Sequence, residues 1–169
     1  LFLKNKMFKH KYIKKKITDQ FIKNKINTKK IILEEGSPRN ELLEAYNKID
    51  IALDPFPYSG GTTSFETIFM GVPLLTKNGS SFVSRTTQSV NCNIGMSDWV
   101  AENENEYISK AIEFSKKFSQ LSEIRKRILL TSLESPLFNS PLFAEQFKNL
   151  VLKIWLKFIN NNVSKKTKF

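Results

Sequence analysis

The sequence is poor in the residues that make cross-links and metal sites. Its 169 residues include a single cysteine, Cys92, so no internal disulfide can form and no thiolate cluster can hold a metal. Cys92 is therefore expected to serve as a small buried hydrophobe. The single histidine, His10, stands among lysines, where exposure to solvent is expected rather than catalysis. No apolar run approaches the roughly 20 residues of a membrane span. The basic N-terminus lacks a separate apolar stretch followed by small residues, so no secretory signal is read. A cytoplasmic protein without a membrane partner is expected. Acidic charge is scarce at the start: residues 1–30 hold eleven lysines against Asp19 alone, out of a net charge of +11. Such an end invites a nucleic-acid reading. No aromatic stacking motif accompanies the lysines, however, and a chain crowded with Lys, Asn and Ile is what an AT-rich genome produces. Nucleic acid is the weaker reading.

What is present suits one domain of residues 1–160 with a polar basic tail at 161–169. Hydrophobic content is 40%, and fourteen phenylalanines are expected to supply much of the core. Leu1-Phe2-Leu3 reads as a strand, and Tyr12 to Ile26 as an amphipathic helix with Ile13, Ile17, Phe21 and Ile22 inward. Ile31-Ile32-Leu33 gives a second strand. Ser37-Pro38 opens a helix, with serine as cap and proline at the first helical position. Ile49 to Leu53 suits a strand buried on both faces, and Leu74-Leu75-Thr76 another. Ser80 or Ser81 caps a helix running toward Asn91, and a last strand lies near Trp99-Val100-Ala101. Glu104 to Leu121 carries a helical apolar stripe, followed by helices at 122–133 and 141–160. Strands alternating with helices predict an α/β fold with a Rossmann-like parallel sheet.

The stretch most informative about function is Asp50 to Pro73, strand, glycine turn and helix in succession. Pro55 and Pro57 break the strand. Gly60-Gly61-Thr62-Thr63 follows, and Phe65, Ile68 and Phe69 recur at helical spacing until Gly71-Val72-Pro73. A helix start carries unpartnered N–H groups and the positive end of the dipole, which suits a phosphate. Glycines admit a ligand close to the main chain, and the threonine hydroxyls add donors. Glu66 follows Thr62 by four residues and Thr63 by three, on one helix face. A carboxylate so placed can accept hydrogen bonds from the hydroxyls of a ribose. The same residues also fit plain capping, with Glu66 completing a box from Thr63.

The wider pattern resembles the C-terminal catalytic region of the protein O-GlcNAc transferases and their plant O-fucosyltransferase relatives, the SPINDLY type. The resemblance runs from Leu1 to about Trp155. It rests on the order and spacing of Leu1-Phe2-Leu3-Lys4-Asn5-Lys6, Ser37-Pro38-Arg39, Asp50-Ile51-Ala52-Leu53-Asp54-Pro55-Phe56-Pro57-Tyr58, Gly60-Gly61-Thr62-Thr63, Met70-Gly71-Val72-Pro73, Val83-Ser84-Arg85, Ser135-Pro136-Leu137-Phe138-Asn139 and Ile154-Trp155. It implies the donor-binding half of a glycosyltransferase B arrangement and metal-independent, inverting transfer from a nucleotide-sugar to serine or threonine hydroxyls of a protein. UDP-GlcNAc is the donor expected, with GDP-fucose as the alternative; a non-catalytic remnant that binds a nucleotide or a protein is the other reading. By the same resemblance the pyrophosphate lies at Gly60, Gly61, Thr62 and Thr63, Glu66 is the ribose ligand, and Ser37, Pro38 and Arg39 line the base. Arg39 fits a phosphate or base oxygen, or a surface salt bridge.

The chain departs from that pattern in three places. Leu42 stands where many members place a histidine over the uracil, and Gly61 where the animal transferases have another histidine. The diphosphate-binding lysine of the family belongs upstream of Leu1, and neither Lys4 nor Lys6 replaces it. An upstream catalytic domain, helical repeats of the TPR type and the first strand of the sheet are thus expected to precede Leu1. Leu1-Phe2-Leu3 would then lack its inner neighbour or pair with Ile51. A piece of this kind is expected to be unstable and inactive by itself.

Overall fold

The computed structural model describes residues 1–166, with side chains to residue 161, so Thr167–Phe169 of the expected tail lie outside the described residues. The chain divides into two compact units, Leu1–Ala52 and Leu53–Phe169.

In the first unit, β1 (Phe2–Lys4) runs parallel to β2 (Ile32–Glu34), with Phe2 opposite Ile32 and Lys4 opposite Glu34. Parallel neighbours need a crossover, supplied by α1 (Lys11–Lys23). The Lys4 ammonium meets the Glu34 carboxylate at 2.5 Å. That hydrogen bond holds the Glu34 carboxyl below its ordinary range. On α1, Ile13, Ile17 and Phe21 are half-buried, while Ile22 is exposed. Ile22 follows Ile13 by nine residues, which at about 100° per residue places it on the opposite face, so it does not belong to the inner stripe. The next helix, α2 (Arg39–Ala45), begins one residue later than expected: Pro38 occupies the cap position and Ser37 makes no capping bond. Only Phe8 and Ala45 are fully buried in this unit.

The second unit holds a three-stranded sheet, whose first strand begins at the boundary between the units, together with the remaining helices. Strand order is β3 (Ala52–Leu53), β4 (Leu74–Lys77), β5 (Val100–Ala101), with Thr76 opposite Val100. The expected α/β class with parallel strands is what the chain forms. β1 pairs with β2, and among the described residues no ladder joins it to Ile51. β3 is shorter than expected and not buried on both faces, for Leu53 is 46% exposed.

Helix α3 (Thr62–Phe69) ends in a left-handed glycine. Gly71 has φ 73°, its N–H bonds the Ile68 carbonyl, and Val72 N–H reaches back to Thr67. Only glycine adopts that conformation freely, which explains the Gly71-Val72-Pro73 stop. Helix α4 (Thr86–Asn93) starts later than expected. Ser81 and Ser84 instead bond each other and each other's backbone, the local turn with which serine competes against helix. The expected helices 104–121 and 122–133 form as α5 (Glu104–Phe114) and α6 (Phe118–Thr131), with the break between them earlier than expected. Tight bonds from Lys116 and Lys117 N–H to Glu113 and Phe114 close the first of them. The last helix, α7 (Ser140–Lys166), runs past Asn160 into the segment expected to be a frayed tail.

The core of this unit is aliphatic: Ile68, Val72, Leu74, Leu75, Val90, Val100, Leu121 and Ile128, with Met96 and Trp99. Trp99 stacks on Phe114 at 4.4 Å between ring centroids. Phenylalanine does not fill the core as expected; Phe8 is the one fully buried among the described residues, and Phe143, Phe147 and Phe158 stand exposed on α7. Cys92 is likewise exposed rather than buried, and His10 is exposed as expected. Asn91 is wholly buried and its amide donates to the carbonyls of Leu74 and Trp99, which ties α4 to the sheet.

Candidate functional site

The glycine turn is held by a side chain that the pattern reading passed over. Asp54 directly follows β3 and is 4% exposed. Its N–H donates to the Leu75 carbonyl, continuing the ladder to β4. One carboxylate oxygen accepts the Gly60 N–H at 2.7 Å and the other accepts the Thr76 hydroxyl at 2.7 Å. Its carbonyl accepts the Tyr107 hydroxyl at 2.9 Å. Burial pushes the Asp54 carboxyl above its ordinary range, and the bonds from Gly60, Thr76 and Thr87 pull it back. Burial, with the nearby Asp54 charge, pushes the Tyr107 phenol up to about 12.

Between Asp54 and Gly60 the chain loops outward through Pro55, Phe56, Pro57 and Tyr58, with a cis Phe56–Pro57 bond. Phe56 packs edge-on against Tyr107 at 5.4 Å, and the Lys77 ammonium lies 4.3 Å from the centre of the Phe56 ring. Ser59 returns the loop to the interior: its N–H and hydroxyl both donate to the Val83 carbonyl, at 3.2 and 2.7 Å.

The two glycines differ. A Cβ on Gly60 would lie 2.4 Å from Ser64 Oγ and 3.0 Å from Thr63 Oγ1, whereas a Cβ on Gly61 would meet nothing within 4 Å. Gly60 is needed for space, and the open position at Gly61 is the one where related animal enzymes were expected to carry histidine. Gly61 is the cap residue of α3, and no side chain caps that helix. The capping box from Thr63 to Glu66 is therefore not formed, since both residues lie inside the helix. The Gly61 carbonyl takes the N–H groups of Ser64 and Phe65. Thr62 and Thr63 stand exposed at the helix start. Glu66, one turn on, is buried, at 7% exposed.

The remaining residues expected at the site belong to the first unit. Ser37 Oγ is buried without a hydrogen-bond partner. Pro38 accepts the first helical bond, from Leu42 N–H, Arg39 is exposed in the first turn of α2, and Leu42 is half-buried. Asp54, Thr76, Thr87 and Tyr107 are the residues sequence reasoning missed. The signal for Asp54 was its place directly after a strand and six residues before the glycine whose N–H it accepts.

Residues 8–147 match the profile of Glycosyl transferase family 41. The chain is 32% identical over 121 residues to a tomato (Solanum lycopersicum) protein named as a probable UDP-N-acetylglucosamine–peptide N-acetylglucosaminyltransferase SPINDLY, and 33% identical to its Arabidopsis thaliana counterpart. Each alignment covers 72% of this chain and 13% of the relative, so the chain spans a small part of their length. Among solved structures, an O-GlcNAc transferase mutant from Thermobaculum terrenum superposes with a TM-score of 0.84 at 28% identity. That match covers 92% of this chain and 30% of the other. With a profile match over most of its length, and a fold and a glycine turn of the kind the sequence led us to expect, the chain belongs to glycosyl transferase family 41.

Proposed function

We propose that this chain is the donor-binding part of an inverting glycosyltransferase, and that the start of α3 grips the diphosphate of a nucleotide-sugar. One observation carries the reading: α3 begins at an open glycine with two exposed threonines and no side-chain cap. An uncapped helix start presents N–H groups and a positive dipole end to an anion. The Gly60 N–H is taken by Asp54, so Gly60 serves by its small size. Gly61, Thr62 and Thr63 supply the donors.

In this reading Glu66 accepts hydrogen bonds from the ribose hydroxyls. Ser37, Pro38, Arg39 and Leu42 are the base-lining residues, with Leu42 making an apolar contact. During transfer, negative charge grows on the leaving diphosphate, and preorganised amides and hydroxyls stabilise it without reorganising. The tomato and Arabidopsis relatives are named for UDP-N-acetylglucosamine and a peptide acceptor; by analogy UDP-GlcNAc is the donor here and protein serine or threonine the acceptor.

The test is titration of the chain with UDP, followed by calorimetry or amide shifts. Thr62→Ala and Glu66→Ala should each weaken UDP roughly tenfold or more, the usual loss of a hydrogen bond to a charged group or from a buried carboxylate. Unchanged UDP affinity in both variants refutes the site.

A further inference from the structure

We propose that Thr87 and Asp54 are positioning residues for the diphosphate: they clamp the peptide units on either side of Gly60 so that the Gly61 amide faces the ligand. The inference rests on the donor-site reading above and deepens it.

The geometry follows from two planar peptides. Thr87, on α4, is wholly buried, and its hydroxyl donates to the Gly60 carbonyl at 3.3 Å. The Gly60–Gly61 peptide is trans, and in a trans peptide the C=O and N–H point in opposite directions. With the carbonyl drawn inward to Thr87, the Gly61 N–H is turned the opposite way, at a residue that is exposed. The preceding peptide is fixed by Asp54, whose carboxylate takes the Gly60 N–H. Asp54 is itself tied to β4 through the Thr76 hydroxyl, so the sheet is the frame against which the turn is set. Ser64 Oγ, 2.8 Å from Thr87 Oγ1, completes the brace from α3. The Thr87 hydroxyl has one proton. The Gly60 carbonyl and the Asp54 carboxylate share it, both on the turn side, so the Ser64 hydroxyl donates to Thr87, a chain running from α3 through α4 to the turn.

Neither residue touches the donor in this scheme, so the readout must separate orientation of the turn from general damage. The 169-residue chain is titrated with UDP and, separately, with uridine, in wild type, Thr87→Val and Thr87→Ser. Thr87→Val keeps the shape and removes the hydroxyl. It should weaken UDP about tenfold while leaving uridine within about twofold, and Thr87→Ser should restore UDP binding. Asp54→Ala against Asp54→Asn gives the same comparison should Thr87→Val not fold, because asparagine keeps an acceptor for the Gly60 N–H. Equal UDP affinity in wild type and Thr87→Val overturns the proposal, as does an equal loss for UDP and uridine. A wild-type chain that binds no UDP overturns the donor-site reading itself, and is a different result.

Discussion

Substituting the two adjacent glycines by alanine, one at a time, should give unequal losses from the same chemical change. At Gly60 the new methyl would lie 2.4 Å from Ser64 Oγ, about an ångström inside contact, and 3.2 Å from Asp54 Oδ1. Ser64 cannot step aside freely, because it is 2% exposed and its hydroxyl is engaged with Thr87. Overpacking of this kind costs ~1–3 kcal/mol, and breaking the buried hydroxyl pair adds about 1 kcal/mol. A total of roughly 2–4 kcal/mol lowers the melting temperature of a chain this size by roughly 5–15 °C. At Gly61 the methyl meets nothing within 4 Å, and the cost is confined to replacing a glycine cap of α3 by the less favourable alanine, about 1 kcal/mol or less. Thermal unfolding followed by circular dichroism measures both. Ser64→Ala in the Gly60→Ala background removes the clashing oxygen and should recover part of the loss, a coupling readable by a double-mutant cycle. Two alanine variants of equal stability, or a Ser64→Ala change that brings no recovery, would refute the steric account.

Two other outcomes are expected. The Tyr107 phenol should titrate well above the ordinary tyrosine range, at about 12, which tyrosinate absorbance near 295 nm lost in Tyr107→Phe would show. Its phenol is raised in the fold, so the native state keeps a proton that the unfolded chain loses near pH 10. Its stabilising share is therefore intact below pH 10 and lost as pH rises toward about 12. Tyr107→Phe should flatten stability across that window. Ile68→Ala removes a side chain with no exposure from the last turn of α3 and should cost about 2–5 kcal/mol, seen as a lower denaturant midpoint; a smaller cost would place Ile68 outside the cooperative core.

The element order was legible because the signals for it are local. The glycine turn, the Gly71-Val72-Pro73 stop and the apolar period of α3 are each contained within a few residues, and each forms where expected. The break at 115–117 left no such signal: no glycine or proline marks it, and it rests on tight backbone bonds. Composition misled on the core, because fourteen phenylalanines say nothing of where each ring points. Ile68, Leu75 and Trp99 fill the interior while α7 shows Phe143, Phe147 and Phe158 to solvent. Capping was undecidable from Thr62, Thr63 and Glu66 alone, since moving the helix start by one residue changes which of them is the cap. At the site, Thr87 acts across 27 residues of sequence. No spacing rule could have joined it to Gly60.

The hydroxyls of this region fall into two sets, and the division is itself an argument for the site. Ser59, Ser64, Thr67, Thr76 and Thr87 are buried, and each spends its hydroxyl within the protein, on a carbonyl, a carboxylate or another hydroxyl. Thr62 and Thr63, in the same short stretch, are exposed residues. A turn that only needed to reverse the chain would gain nothing from so much internal bracing around one peptide, because loops of this length close readily without it. Bracing matters where amide directions must be fixed before a ligand arrives, since donors held in place need not be ordered at the moment of binding. If the braced set serves the exposed set, removing a brace should harm phosphate recognition more than it harms the fold, and that ratio is what the paired UDP and uridine titrations measure.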